Sequence, residues 1–270
     1  MIKIKNILIG KGNPLAIISG PCVIENFEIT FEIAQFLKNL TTELELPFIF
    51  KASFDKANRS SISSYRGPGI IEGLKILKSI KDILNIPIIS DVHRISEIDP
   101  ASEVLDVIQI PAFLCRQTDI LVAAGQTKKP INIKKGQFIA PWDVTNIIDK
   151  VTSTGNKNIV ITERGSMFGY NNLVVDFRSI NIIQNIGYPV IFDATHSVQL
   201  PGGQGTCSGG QREFAPILAQ AAVAAGADGI FMEVHTDPDK ALCDGPNSLK
   251  LDELKSILKK LKAIKSVVSN

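Results

Sequence analysis

LPFIFKASFDKANRSS, residues 46–61, passes without a turn signal from an apolar run into a polar cluster. The apolar half lacks the alternation of a half-exposed strand, so it reads as a strand covered on both faces, as in a parallel sheet. The polar half places Lys51, Lys56 and Arg59 within nine positions, among Asp55, Asn58 and three serines. In isolation it would be a solvated charge run. Its place at the end of a buried strand gives it another meaning if the rest of the chain repeats the pattern.

The pattern does repeat. Short runs rich in Ile and Val occupy 15–19, 47–52, 86–90, 107–112, 131–134, 158–162, 188–192 and 229–234. Segments with helical spacing separate them, clearest at 31–40, 70–84, 144–151, 177–186, 214–226 and 251–264, and weakest after the third and fourth runs. Eight strands alternating with helices, with no linker or break in composition, predict a single α/β domain over 1–270, a (β/α)8 TIM barrel. A doubly wound open sheet is the alternative. IKI and ILI near the N-terminus predict a short β-hairpin that closes the bottom of the barrel.

The chain has 270 residues, 44% of them hydrophobic, and a net charge of +2. That balance excludes a general nucleic-acid or membrane-surface binder, so cationic character has to be local. The N-terminus has no apolar core or cleavage site of an export signal, and no run reaches the ~18 apolar residues of a membrane span. Cys22, Cys115, Cys207 and Cys243 are scattered and form no CxxC pair. A cytoplasmic location with free or ligating thiols is expected.

A barrel of this kind carries its active site at the C-terminal ends of its strands. Every predicted strand ends in polar groups. The list runs Cys22; Lys51, Asp55, Lys56, Asn58 and Arg59; Asp91 and His93; Gln109 and Arg116; Lys134 and Lys135; Glu163 and Arg164; Asp193 and His196; Glu233 and His235. Any one of these is an ordinary surface residue, but eight such ends converge on one mouth and define an enzyme site. Lys51, Lys56, Arg59, Arg116, Lys134 and Arg164 form an arc of cations suited to phosphate and carboxylate oxygens. So many cations favour two anionic substrates, or one with two anionic groups. Cys22, His196 and Glu233, with Asp244 on the loop ALCDGPN, offer thiolate, imidazole and carboxylates to a divalent ion such as Zn²⁺, Fe²⁺ or Mn²⁺. Cys207 and Cys243 compete as ligands. The Gly-rich loop PGGQGTCSGG fits neither GxGxxG nor a P-loop, so no organic cofactor is expected; 202–210 reads as a mobile flap over the mouth.

GPCVIE, FKASFDKANRSS, SDVH, QIPAFLCRQTD, NIKKGQF, the ERG–FGYNNLVVDFRS segment, DATHSVQLPGG and ALCDGPN occur in order from residue 20 to about 250. Together they resemble the 3-deoxy-D-manno-octulosonate 8-phosphate synthase family. The resemblance implies a homotetrameric (β/α)8 barrel that condenses phosphoenolpyruvate with D-arabinose 5-phosphate for the inner core of lipopolysaccharide. Cys after GP is the mark of the metal-dependent branch, where the other branch has Asn. By resemblance, Cys22, His196, Glu233 and Asp244 are metal ligands. Lys51, Lys56, Lys134, Arg164 and Gln109 face the enolpyruvate. Asn58, Arg59 and Ser60 hold the sugar phosphate, Asp91 and Gln199 complete the substrate contacts, and Arg116 arrives from a neighbouring subunit. Cys22, His196, Asp244 and Lys134 carry the catalytic expectation. Asn26 stands where the family often has Ser.

Three rival readings remain. The synthase that uses erythrose 4-phosphate to make 3-deoxy-D-arabino-heptulosonate 7-phosphate shares GPCxxE and the metal set, but carries a KPRTxP-like sequence in place of KANRSS. A Schiff-base aldolase would use Lys134 or Lys51 as its nucleophile, with a depressed pKa. A non-catalytic sugar-phosphate binder would need the cations but not the ion.

Overall fold

The computed structural model describes residues 1–202 and 209–268. Strands β1 (Ile2–Ile4) and β2 (Ile7–Ile9) form the expected antiparallel hairpin. Parallel strands β3 (Ala16–Gly20), β4 (Phe48–Lys51), β5 (Ile88–Asp91), β6 (Val107–Ile110), β7 (Ile131–Lys134) and β8 (Ile159–Glu163) follow. Short β9 (Ser166–Met167) and β10 (Leu173–Val174) pair with each other ahead of β11 (Val190–Asp193). Short β12 (Gln199–Leu200) and β13 (Gly209–Gly210) pair likewise, followed by β14 (Gly229–His235) and, beside its end, β15 (Leu249–Lys250). Each of the long parallel strands bonds its neighbour in sequence, and β14 pairs with both β11 and β3. The barrel is closed, and an open doubly wound sheet is excluded.

Helices α1 (Phe27–Glu43), α2 (Ile70–Leu84), α3 (Ile95–Val104), α4 (Thr118–Gln126), α5 (Val144–Thr152), α6 (Arg178–Asn185), α7 (Ala215–Ala224) and α8 (Leu254–Val268) cover the outside. The faint helical signal after the third strand has a cause, since α3 contains Pro100, which costs a helix one backbone donor. Asn26 Oδ1 accepts from Ile29 N at 2.8 Å and caps α1. Asn and Ser cap helices about equally well, which accounts for the family's Ser at this place.

Two large hydrophobic clusters fill the interior, and a small third one joins Cys22, Val23 and Cys243. Of the large two, one lies between strands and helices; the other fills the barrel's lower half with Ile18, Ile49, Ile89, Val107, Val160, Ile191 and Phe231. Ile2, Ile4, Ile7 and Ile9 of the hairpin belong to this second cluster and form its floor. Two residues further along the same strands come Lys51, Asp91, Gln109, Thr162, Asp193 and Glu233, all buried. Side chains two apart share a face of a strand, so an apolar layer lies beneath a polar one. The site therefore sits at the upper end.

Ile9 is wholly buried in the floor. Ile9→Ala is expected to destabilise the protein by about 2–5 kcal/mol, read by urea unfolding; a loss under about 1 kcal/mol would make the hairpin an appendage rather than a floor.

Candidate active site

A cavity opens above the polar layer. Its wall includes Lys51, Lys56, Asn58, Arg59, Ser60, Asp91, Gln109, Lys134, Arg164 and Gln199, with His93, Gln137, His196 and Asp244. Ten of the eleven residues expected to contact substrate are thus brought together. The exception is Arg116, which is exposed and does not line this wall. The cationic arc within one chain is consequently shorter than the strand-end reading had it.

Beside the cavity the four expected metal ligands form two donor groups that share Asp244, with His196 and Glu233 in one and Cys22 beside Cys243 in the other. Cys22 Sγ lies 3.3 Å from Asp244 Oδ2, and His196 Nε2 lies 3.6 Å from Glu233 Oε2 and 3.9 Å from Asp244 Oδ2. Asp244 joins the two groups from a left-handed backbone with φ +49°, a conformation Asp tolerates better than most residues. Cys243 sits 2.8 Å from Cys22, sulfur to sulfur, and accepts from Arg59 Nη1 at 2.8 Å. Cys207 and most of the 202–210 flap lie outside the described residues.

The donor set fits a cation on the chain's own chemistry. Burial pushes the Cys22 thiol well up, and the bond to Cys243 and the charges of Asp244 and Glu233 push it further. Such a thiol ionises only beside a positive ion. Glu233 Oε2 is buried with no hydrogen-bond partner among the described residues, turned towards His196 Nε2. The other ring nitrogen of His196, Nδ1, lies 2.7 Å from Asp193 Oδ2, and this leaves Nε2 to face the carboxylates. A carboxylate behind a histidine is the usual support of a metal-binding imidazole. Asp193 lies three residues before His196, and that spacing was the signal for a role the strand-end reading left unassigned.

The buried cations are paired. Lys51 Nζ lies 2.7 Å from Glu233 Oε1 and donates to Cys22 O at 2.9 Å. Lys134 Nζ bonds Asp193 and sits 3.5 Å from the centre of the Phe231 ring. Burial raises the carboxyls of Asp193 and Glu233, but their neighbours, His196 and Lys134 for the first and Lys51, His196 and Lys56 for the second, hold both well below the usual carboxylate range. Arg164 is aimed by Gln199 Oε1 at 2.6 Å and Gln137 Oε1 at 3.2 Å, and Gln137 is another residue that sequence reasoning missed.

Some strand-end residues do not reach the mouth. Lys135 follows the inward Lys134 and turns the other way, lying 3.6 Å from Glu163 and donating to Ile139 O at 3.1 Å. Asp55 is held by Arg66. His235 Nε2 lies 3.3 Å from Glu25, a packing contact between the loops that carry Cys22 and Asp244. His93 does line the cavity, 3.1 Å from Asp91.

A closed barrel with buried, paired lysines and a thiol–imidazole–carboxylate group at its mouth defines a catalyst for small anionic molecules. The chain belongs to the DAHP synthetase I family, whose sequence profile matches residues 1–270. Among its relatives are enzymes named 2-dehydro-3-deoxyphosphooctonate aldolase, a synonym of the octulosonate phosphate synthase resembled above. The protein of that name from Desulfosudis oleivorans is 64% identical over 269 residues, covering 99% of this chain and 96% of the relative. Those from Geotalea daltonii and Geobacter sulfurreducens are 62% and 60% identical, each over 99% of this chain and 98% of the relative.

Removing one partner of a buried ion pair costs about 3–5 kcal/mol because the other charge is stranded. Glu233→Leu is expected to lose that much in chemical denaturation, and adding Lys51→Met should restore most of it. A double variant no more stable than the single would show that Lys51 and Glu233 are not each other's main partners.

Proposed function

We propose that this chain condenses phosphoenolpyruvate with D-arabinose 5-phosphate and water, giving 3-deoxy-D-manno-octulosonate 8-phosphate and inorganic phosphate, as one catalytic domain over 1–270. The observation that carries this reading is the joining of Lys51, Lys56, Asn58, Arg59 and Ser60 with Lys134 and Arg164 on one cavity wall. That wall has places for two anions. The names and high identity of the relatives support the octulosonate product over the heptulosonate one, as does KANRSS in place of a KPRTxP-like sequence.

In this reading Lys51, Lys56, Lys134, Arg164 and Gln109 hold phosphoenolpyruvate, with C3 turned towards the sugar. Asn58, Arg59 and Ser60 hold the pentose phosphate, with Asp91 and Gln199 on the remaining polar groups. Fixing both reactants removes much of the entropic barrier to joining them. Bond formation from C3 to the aldehyde carbon leaves positive character at C2, which water captures. The tetrahedral centre then expels phosphate, and Lys134 and Arg164 stabilise the charge that develops on it. Cys22, His196, Glu233 and Asp244 are the residues that would hold a divalent ion, whose chemistry is to polarise an oxygen and lower the pKa of a bound water. Asp193 keeps His196 in the tautomer this requires.

A Schiff-base aldolase is the weaker reading. Burial pushes the Lys134 ammonium below the ordinary lysine value, yet Asp193 holds it as an ion pair, and Lys51 is held by Glu233. A homotetramer is part of the proposal, with Arg116 reaching a neighbour's mouth. Its support is that Arg116 and Phe113 after β6, and Phe138 and Trp142 after the adjacent β7, are all exposed. The role in lipopolysaccharide synthesis places the enzyme in the cytoplasm; among the described residues no helix is long and apolar enough to cross a membrane.

Mixing the two substrates should release phosphate, with arabinose 5-phosphate preferred to erythrose 4-phosphate. Chelation should abolish the reaction, and Cys22→Ala should do the same with an unchanged unfolding transition. Full turnover after exhaustive chelation, with no metal in elemental analysis, would discard the ion. A preference for erythrose 4-phosphate would discard the product assignment.

A further inference from the structure

We propose that Asn132 and Thr162, which do not line the cavity, orient the side-chain amide of Gln109 so that only its N–H groups face the substrate. Both would then be positioning residues. The proposal deepens the reading above and rests on it: Gln109 becomes a donor reserved for an acceptor-only group, the phosphate or carboxylate of phosphoenolpyruvate.

Asn132 is the anomaly that prompts this. It stands in the middle of β7, wholly buried and two residues before Lys134, so it shares Lys134's inward face. Its neighbours in the strand, Ile131 and Ile133, face the apolar layer outside the barrel. An amide in such a place destabilises the fold unless it is hydrogen-bonded. Asn132 is bonded on both sides. Its Nδ2 donates to Gln109 Oε1 at 2.9 Å, and its Oδ1 accepts from Thr162 Oγ1 at 2.6 Å. Gln109 and Asn132 are direct partners in the β6–β7 ladder, and β8 brings Thr162 from the other side.

The chain has a direction, set at its Thr162 end. A hydroxyl has one proton, and here Asn132 takes it. Reversing every bond would leave the Thr162 proton without an acceptor among the described residues, while Asn132 still has an N–H to spare. The forward direction is therefore the better satisfied. Its consequence lies at the other end: Gln109 Oε1 is consumed inside the wall and Nε2 is left without a protein partner among the described residues, on a side chain that lines the cavity. The reversed chain would present Oε1 to the cavity beside Asp91, the ladder partner of Gln109 on β5. An oxygen there would repel both that carboxylate and any anion. In the forward direction Gln109 adds one more donor to Lys51, Lys134 and Arg164, and its own amide offers a ligand hydroxyl no acceptor.

The test is calorimetric titration of phosphoenolpyruvate into the intact protein, with no turnover required. In Asn132→Asp the carboxylate accepts from Thr162 and from Gln109, which turns the Gln109 amide round. Binding should weaken at least 10-fold. Gln109→Leu should weaken it comparably, and the double variant should be no worse than Gln109→Leu alone, because Asn132 acts only through Gln109. Thr162→Val, nearly isosteric, should weaken binding severalfold while still folding, with only the lowered unfolding midpoint of one unpaired buried acceptor, and it stands in should Asn132→Asp fail to fold. Wild-type affinity in Asn132→Asp and Thr162→Val, or losses that simply add in the double variant, would overturn the proposal while leaving the functional reading intact. A wild-type protein that binds no phosphoenolpyruvate would overturn both.

Discussion

Ionised side chains inside a barrel must be neutralised there, and that constraint organises the molecule. Lys51 meets Glu233 at the mouth and Lys134 meets Asp193, with His196 on the same carboxylate. Each pair draws on strands that are not neighbours in the ladder, β4 with β14 and β7 with β11. Charge pairing therefore bridges the strand between, β3 in the first pair and β8 in the second. In a medium of low dielectric such pairs hold their geometry firmly, and an unmatched member is costly. Lys56, Arg59 and Arg164 are less completely matched within the chain, which leaves positive potential facing the cavity.

The same layering explains why the site is where it is. The lower barrel is filled by isoleucine, valine and Phe231, and the hairpin seals it from below. Only the upper layer is free to be polar, and it borders the loops that carry Cys22, Asn58, Arg59 and Asp244. Phe231 serves both layers: it packs with the apolar residues and offers its ring face to Lys134. A cation against an aromatic face is stabilised without being consumed as a hydrogen-bond donor, so Lys134 keeps N–H groups for a ligand.

The strands were legible because each is a short apolar run ending in polar groups, and the structure begins and ends them within two residues of those runs. The cavity wall was legible for the same reason, since residues at strand ends of a barrel share a mouth. What the runs did not show is which of two adjacent polar residues faces inward. Lys134 and Lys135 look alike in sequence, yet period-two alternation sends one to Asp193 and the other to Glu163 behind the wall. Glu163 and His235 were displaced from the mouth for similar reasons, and Arg116 because the loop after β6 carries it outward. Asn132 was hidden within INIK, where one polar letter in an apolar run gave no hint of its partners. The nearness of Cys243 to Cys22 depends on a loop 221 residues away along the chain, and no local pattern encodes it.

The account stands on the thiol of the first barrel loop and the imidazole of the seventh closing on one cation beside the anion-binding wall. Anomalous diffraction from crystals grown with a divalent transition metal, recorded on both sides of its absorption edge, tests that directly. The predicted result is a single peak within bonding distance of Cys22 Sγ and His196 Nε2, with Glu233 and Asp244 completing the set. A peak held by Cys22, Cys243 and Asp244 without His196, a peak at the separate donor cluster of Asp55, His93 and Glu97, or no peak near Cys22, would contradict it.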